Sequence, residues 1–388
     1  MPLPQLPPLG LYIHLPWCER KCPYCDFNSH EAGLIPELAY VDCLLADLEA
    51  DLELAQGREI STLFIGGGTP SLFSAAAIAR LLQGVATRLP LAADLEATME
   101  ANPGSAEAEK FAGFRAAGIN RLSLGIQSFQ DIQLQALGRV HNSDQAHAAI
   151  AAARSAGFDR LNLDLMHGLP GQDAKLALRD LATATGYQTG HLSWYQLTIE
   201  ANTVFHKYPP LLPVEDALAD IQDAGETLLR GAGFSQYEVS AWAGRGQQCR
   251  HNLNYWQFGD YLGIGAGAHG KISFADGRIM RCAKRRQPEA YMNAAAGQHR
   301  AQQQWLDAAE LPGEFVLNAL RLETGFTLQQ FSERTGLPAA ALQPALDSLL
   351  QRELLQCDDD SRICASPLGW RFLDSVIMEF LPGQTVSG

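Results

Sequence analysis

Three cysteines, Cys18, Cys22 and Cys25, stand four and three residues apart in the stretch Tyr12-Ile13-His14-Leu15-Pro16-Trp17-Cys18-Glu19-Arg20-Lys21-Cys22-Pro23-Tyr24-Cys25-Asp26-Phe27. Residues spaced in this way can share one face of a helix. Pro23 opposes a helix there, so the thiols are expected to converge from an irregular loop after a short apolar strand. Three thiolates are one short of the closed shell of a structural zinc site. They suit a 4Fe-4S cluster in which the protein holds three irons and the fourth takes an exchangeable ligand, since such clusters are bound by thiolates. A buried structural trio and a zinc half-site are the plainer alternatives, but three thiols so close rarely arise from packing alone.

Other residues suited to binding follow along the chain. In Gly66-Gly67-Gly68-Thr69-Pro70, consecutive glycines let the backbone approach a ligand and offer N–H groups to it; a tight turn explains such a run almost as well. Glu100-Ala101-Asn102-Pro103-Gly104 and Gln127-Ser128-Phe129 come next. Asp164 lies within the apolar stretch Asn162-Leu163-Asp164-Leu165-Met166-His167-Gly168-Leu169-Pro170. A carboxylate there is costly unless paired or hydrogen-bonded, and a structural network lining the interior is the alternative to a ligand site. Arg139, judged alone, is a surface cation.

The elements that must position these residues alternate. Short apolar strands are expected at Leu11 to Leu15, Thr62 to Ile65, Leu95 to Glu100, Arg121 to Ile126, Leu161 to Met166 and His191 to Ile199. Between them lie Ala- and Leu-rich helical stretches such as Leu38 to Glu53, Ala75 to Leu89 and Ser143 to Ala156. Such alternation argues for a parallel sheet with covering helices. Six units without an obvious seventh and eighth predict an incomplete (β/α)6 barrel in the α/β class. The polar motifs fall where strands end, which is where barrels keep their working residues.

Composition narrows the class. The chain has 388 residues, 47% apolar and 19% charged, an ordinary globular balance. A formal charge of −14 argues against a nucleic-acid surface. Cys43, Cys249, Cys282, Cys357 and Cys364 are too scattered for the framework of a small secreted domain, so a cytoplasmic setting is expected. Residues 1–10 have neither the basic nor the long apolar region of a signal peptide and read as a flexible tail. No apolar run is long enough for a membrane span.

The cysteine loop with Tyr12 and Tyr24, Gly-Gly-Gly-Thr-Pro, Glu100-Ala-Asn-Pro, Gly125-Ile-Gln-Ser-Phe and Asn162-Leu-Asp-Leu-Met-His-Gly-Leu-Pro together resemble the radical S-adenosylmethionine (SAM) family. That family includes oxygen-independent coproporphyrinogen III dehydrogenase and the HemW-type heme chaperones. The resemblance covers nearly the whole chain. It implies that Cys18, Cys22 and Cys25 bind the cluster and that the open iron takes the amino and carboxylate groups of SAM. Tyr12, Gly67, Gly68, Thr69, Glu100, Gln127, Arg139 and Asp164 match family positions around SAM. Glycine N–H groups and Thr69 would hold the methionine end, the carboxylates would meet an ammonium or ribose hydroxyls, and Arg139 would pair with a carboxylate.

Two departures separate the branches. The dehydrogenases resemble this chain but carry a fourth cysteine two residues after the third, where Phe27 stands here. They also have an extended N-terminal segment, whereas eleven residues precede Tyr12. Further on, His251-Asn252-Leu253-Asn254-Tyr255-Trp256 looks like the signature of the heme chaperone branch. By resemblance His251 would offer imidazole to heme iron, while Tyr255 and Trp256 would stack on the porphyrin. The expected function is therefore a heme chaperone that passes heme to an acceptor protein, respiratory by expectation. The rival is a radical SAM oxidoreductase acting on a porphyrin. Cys249-Arg250-His251 lacks the Cys-x-x-Cys-His of covalent attachment.

The remainder is less specific. Gly263-Ile264-Gly265-Ala266-Gly267-Ala268-His269-Gly270 lacks the βαβ unit and acidic residue of a dinucleotide loop; a turn near the barrel mouth is expected, with His269 a weak candidate near cofactor. Arg278, Arg281, Lys284, Arg285 and Arg286 form a basic run. Such runs are ordinarily solvated faces, and the functional alternative is pairing with heme propionates or anionic lipid headgroups. The expected division is a barrel over 11–240, an extension over 241–308 and a winged-helix-like domain over 309–388. In the last, Glu314 to Leu322, Leu328 to Arg334, Ala339 to Leu350 and Pro367 to Phe380 read as helices, with a hairpin around Asp358-Asp359-Asp360. The third helix has no Lys or Arg up to Ser348, which speaks against DNA binding.

Overall fold

The computed structural model describes residue 3, residues 5–104 and residues 108–383. The six expected strands are β1 (Leu9–Leu15), β2 (Ile60–Gly67), β3 (Leu91–Ala101), β4 (Arg121–Gln127), β5 (Arg160–His167) and β6 (Gly190–Gln196). They pair in parallel in that order. Residues from both faces of β1, among them Leu9, Leu11, Ile13, Leu15 and His14, are buried, as expected of a strand covered on both sides. The covering helices include α1 (Glu37–Asp51), α2 (Ala75–Ala86), α3 (Phe111–Ala117), α4 (Ser143–Ser155), α5 (Ala174–Gly186) and α6 (Glu215–Gly231). Side chains set several helix starts by accepting from backbone N–H groups: Ser74 caps α2, Asn142 with Gln145 forms a capping box on α4, and Asp173 caps α5.

The sheet continues beyond six strands. On one side β6 pairs antiparallel with Ala241–Ala243 (β8), which pairs with Ser235–Glu238 (β7). On the other, Asp260–Ile264 (β9) lies parallel to β1. It leads into three antiparallel strands, His269–Ser273 (β10), Ile279–Lys284 (β11) and Arg300–Trp305 (β12). The order is β12-β11-β10-β9-β1-β2-β3-β4-β5-β6-β8-β7, an open twelve-stranded sheet. The glycine-rich stretch at 263–270 is the turn between β9 and β10. The described part of the expected tail is tied down: Leu3 N–H donates to the Ala275 carbonyl, Asp260 N–H donates to that of Pro8, and β1 already begins at Leu9.

The C-terminal part has helices Leu311–Ala319, Leu328–Thr335 and Ala345–Gln351, and a three-stranded sheet. The hairpin Leu355–Cys357 with Arg362–Ala365 is joined by Phe326–Thr327. Two expected helices are broken. Ala339–Leu342 is a single tight turn that ends before Pro344, where a missing N–H and the ring oppose an uninterrupted helix. Pro367–Arg371 and Leu373–Met378 are separate because Phe372 leaves helical geometry at φ −118°. Phe315, Phe326, Phe331 and Leu349 form a core that also takes in Phe258 and Ile279 from the extension.

Candidate functional site

The cysteine loop leaves the carboxyl end of β1. Trp17–Cys18 pairs in parallel with His30–Glu31, and the glycine run grips the loop's root. Gly68 N–H donates to the Leu15 carbonyl at 2.8 Å, and Thr69 N–H to that of Trp17 at 2.7 Å. Gly67 N–H donates to Glu100 Oε2 at 3.2 Å. These glycines are needed for close approach. Gly67 has φ +119°, and a Cβ there would lie 2.6 Å from the His14 ring; at Gly68 it would run into the Trp17 carbonyl. The N–H groups of Gly67, Gly68 and Thr69 are thus each taken by the chain itself.

All eight cysteines are free thiols. Among the described residues no three His, Cys, Asp or Glu side chains gather round one point, as a mononuclear metal requires. Arg139 Nη1 donates to Cys22 Sγ at 3.5 Å, while Nη2 donates to Asn102 Oδ1 at 2.7 Å and to the Gly125 carbonyl at 3.0 Å. Asn102 Nδ2 then donates to Thr69 Oγ1 at 3.1 Å. One chain of hydrogen bonds thus joins four of the sequence motifs. Arg139 Nε is buried without a partner among the described residues, an idle donor that fits an anionic cluster or carboxylate. Arg139 is not the surface cation it resembles in isolation, and Asn102 was missed although its Glu-Ala-Asn-Pro setting was visible.

The remaining expected residues line the interior. Tyr12 OH donates to His14 Nδ1 at 2.9 Å. His14 Nε2 meets the Asn28 carbonyl at 2.8 Å, which makes Nε2 the donor and Nδ1 the acceptor. Glu100 sits at the cavity wall with its carboxyl pushed up to about 7, mainly by burial and then by the charge of Asp164. Asp164 is raised by burial, opposed by hydrogen bonds, including those from Ser123 Oγ at 3.0 Å and Asn162 Nδ2 at 2.7 Å. The structural network expected as its alternative is present. Gln127, at φ +66°, accepts from Tyr195 OH at 3.0 Å.

A cavity of about 710 Å³ reaches from Tyr12, Gly67 and Glu100 to Tyr255, Tyr261 and His269 of the extension. Phe27 and Asn28 line it from the cysteine loop. His269 is exposed there, as a mouth position requires.

The chaperone-like motif lies at the opposite end. It forms helix α7 (Arg250–Trp256), which packs against the amino ends of the barrel strands. His251 N–H donates to Glu96 Oε1 at 3.2 Å, and the ring's Nδ1 lies 2.9 Å from Thr62 Oγ1. Its Nε2 lies 3.1 Å from Tyr255 OH, and Phe64 stacks on it at 5.2 Å. Burial, and secondarily Arg121, push this imidazole down to about 3. Both ring nitrogens of His251 are thus engaged by side chains of a buried floor. Trp256 lies beneath the Arg321 guanidinium at 4.5 Å, while Tyr255 does reach the cavity.

The basic run does not form one face: within β11, Arg281 and Lys284 are three residues apart and so fall on opposite sides of the strand. Lys284 is buried between Asp47 and Asp51. Arg281 bonds to Glu314 and to Tyr261 OH. Arg278, Arg285 and Arg286 are exposed.

The fold and the cysteine site define a class. Residues 12–181 match the radical SAM superfamily, and residues 306–372 match the HemN C-terminal domain. The structure of coproporphyrinogen III oxidase (HemN) from Escherichia coli shares the fold, with a TM-score of 0.81 at 22% identity over 98% of this chain and 91% of that one. Within the class, the heme chaperone HemW of Escherichia coli (strain K12) is 51% identical over 97% of this chain and 99% of its own length. HemW of Haemophilus influenzae is 49% identical over 92% and 94%. The mouse mitochondrial radical S-adenosyl methionine domain-containing protein 1 is 37% identical over 96% and 87%. The chain belongs to the HemW family of radical SAM proteins.

Proposed function

We propose that this protein binds heme and hands it to an acceptor, a heme-dependent respiratory protein, while carrying a 4Fe-4S cluster and SAM. The end-to-end likeness to relatives named heme chaperones carries the reading. Phe27 supports it, since this side chain is exposed beside the cysteine loop where the dehydrogenase pattern has a fourth thiol.

In this reading Cys18, Cys22 and Cys25 hold the cluster. When bound, the cluster and SAM together supply low-potential electron chemistry. Arg139 positions the Cys22 thiolate and neutralises charge beside it. Tyr12, Glu100, Gln127 and Asp164 line the SAM site, with the carboxylates placed to meet an ammonium or ribose hydroxyls. Gly67, Gly68 and Thr69 shape it by holding the cysteine loop close. Free thiols throughout the chain suit a reducing cytoplasm. Among the described residues no helix is long and apolar enough to cross a membrane, and contact with anionic lipid falls to Arg278, Arg285 and Arg286.

The deciding experiment is anaerobic. With the cluster reconstituted, heme binding and consumption of coproporphyrinogen III in the presence of SAM and a reductant are measured in parallel. Stoichiometric heme uptake without turnover is expected; turnover of coproporphyrinogen would establish the oxidoreductase reading instead.

A further inference from the structure

The cavity of about 710 Å³ has a barrel end, at Tyr12, Gly67 and Glu100, and an extension end. Three strands form a shelf at the second. His269 on β10 stands opposite Ala283 on β11, and Ala283 stands opposite Gln302 on β12. Residues directly opposite in an antiparallel pair share a face, and all three line the cavity. Ala283 is short, so the shelf beside the His269 ring is low.

Two histidines line this cavity. His14 has both ring nitrogens engaged, by Tyr12 and by the Asn28 carbonyl. The His269 ring is exposed at the mouth and makes no hydrogen bond among the described residues. Partial burial, and then the charges of Arg281 and Arg286, hold its imidazole below the usual range. It is therefore proton-free at neutral pH, the form in which imidazole binds metals. The charged groups around it have the right sign for an anionic ligand. Glu100 is the one acid that lines the cavity, and it belongs to the barrel end. Of the two lining cations, Lys284 is held by Asp47 and Asp51, which leaves the exposed Arg286.

We infer that the extension end of this cavity is the cargo site, with His269 as an axial ligand of heme iron, Tyr261 and Phe27 against the macrocycle and Arg286 on a propionate. The inference rests on the heme-carrying reading and deepens it by naming the ligand and its place. Tyr261 is a fixed wall: its hydroxyl accepts from Arg281 Nη1 at 2.8 Å, and Tyr255 meets its ring edge-on at 4.4 Å between centroids. Phe27 faces the cavity from the cysteine loop with 66% of its surface exposed. A large aromatic left so open has apolar area for a porphyrin edge to cover. An arginine suits a propionate because its planar fork pairs with a carboxylate through two parallel bonds. Cargo on this shelf shares one cavity with the groups expected around SAM, so the 4Fe-4S site lies at the far end of the space that heme enters.

The test titrates hemin into the full-length, cluster-reconstituted protein and reads the Soret difference band and the ferric EPR spectrum. The wild type is expected to bind a single equivalent. His269→Ala is expected to weaken binding by at least the roughly tenfold seen when a metal site loses a supporting residue, to shift the Soret band, and to regain the wild-type band with added imidazole. Because His269 is exposed, this variant is expected to melt with the wild type. Arg286→Ala is expected to weaken hemin binding several-fold with the spectrum unchanged, whereas the dimethyl ester of hemin, whose propionates carry no charge, should bind this variant and the wild type alike. Wild-type affinity and spectrum in His269→Ala would overturn the site and leave the heme reading intact. An ester as sensitive to Arg286→Ala as hemin would overturn the propionate contact. A wild type that takes up no heme would overturn the site and the heme reading together.

Discussion

The Nε2 of His251 lies 3.1 Å from the Tyr255 hydroxyl, one turn further along the same helix. This bond and that to Thr62 make the ring part of the plug beneath the barrel. Tyr255→Phe leaves Nε2 without its partner, and a buried polar group so stranded costs about 1–3 kcal/mol. The expected result is a lower urea midpoint with heme stoichiometry unchanged; loss of heme at undiminished stability would contradict the floor role.

Gly68→Ala tests the grip on the cysteine loop. The added methyl runs into the Trp17 carbonyl, a backbone group that cannot swing aside. Overpacking of this kind costs about 1–3 kcal/mol. The loop root is expected to shift, so iron content after reconstitution and the cluster's visible absorbance should fall together. A normal iron content would argue that Cys18, Cys22 and Cys25 tolerate displacement.

Glu100 gives a pH signature. Its carboxyl titrates at about 7 in the folded chain and near ~4.3 when unfolded. A folded value above the unfolded one means that its contribution is fully present below the unfolded value and lost as pH rises through the folded one. Glu100→Gln should therefore flatten the decline in stability between about pH 5 and about pH 8, by up to about 3 kcal/mol. Urea midpoints at the two ends of that window provide the check. A ligand ammonium favours the ionised carboxylate, so SAM should bind wild type more tightly across the same rise and the variant should show no such gain.

Lys284→Met and Arg285→Ala separate two neighbours in the basic run. Lys284 is enclosed by Asp47 and Asp51, and removing one member of a buried ion network costs about 3–5 kcal/mol. Arg285 is exposed, where substitutions usually stay within about 0.5 kcal/mol. Equal effects in thermal melts would refute the burial of Lys284 between Asp47 and Asp51.

Much of the barrel was legible because its signals are local. Apolar runs such as Leu122 to Ile126 and the spacing of Cys18, Cys22 and Cys25 require no knowledge of distant partners. β9 was hidden because its five residues gain meaning only by lying beside β1, some 250 positions earlier. Lys284 and Arg285 are adjacent in sequence, and only the distant Asp47 and Asp51 show that one is buried. The aromatics beside His251 suit both a porphyrin and a packed floor, and sequence alone does not show the ring's bonds to Thr62 and Tyr255.

The sheet that stops at β12 leaves a margin where another chain's strand could add itself. That margin reads Arg300-Ala301-Gln302-Gln303-Gln304-Trp305 and is mostly exposed. Four of its six side chains are hydrophilic and only Trp305 offers a large exposed apolar surface, so a passing copy finds main-chain hydrogen bonds but little grease to hold it. Leaving the barrel unclosed therefore need not make the molecule sticky: the strand most open to recruitment is also the one best wetted.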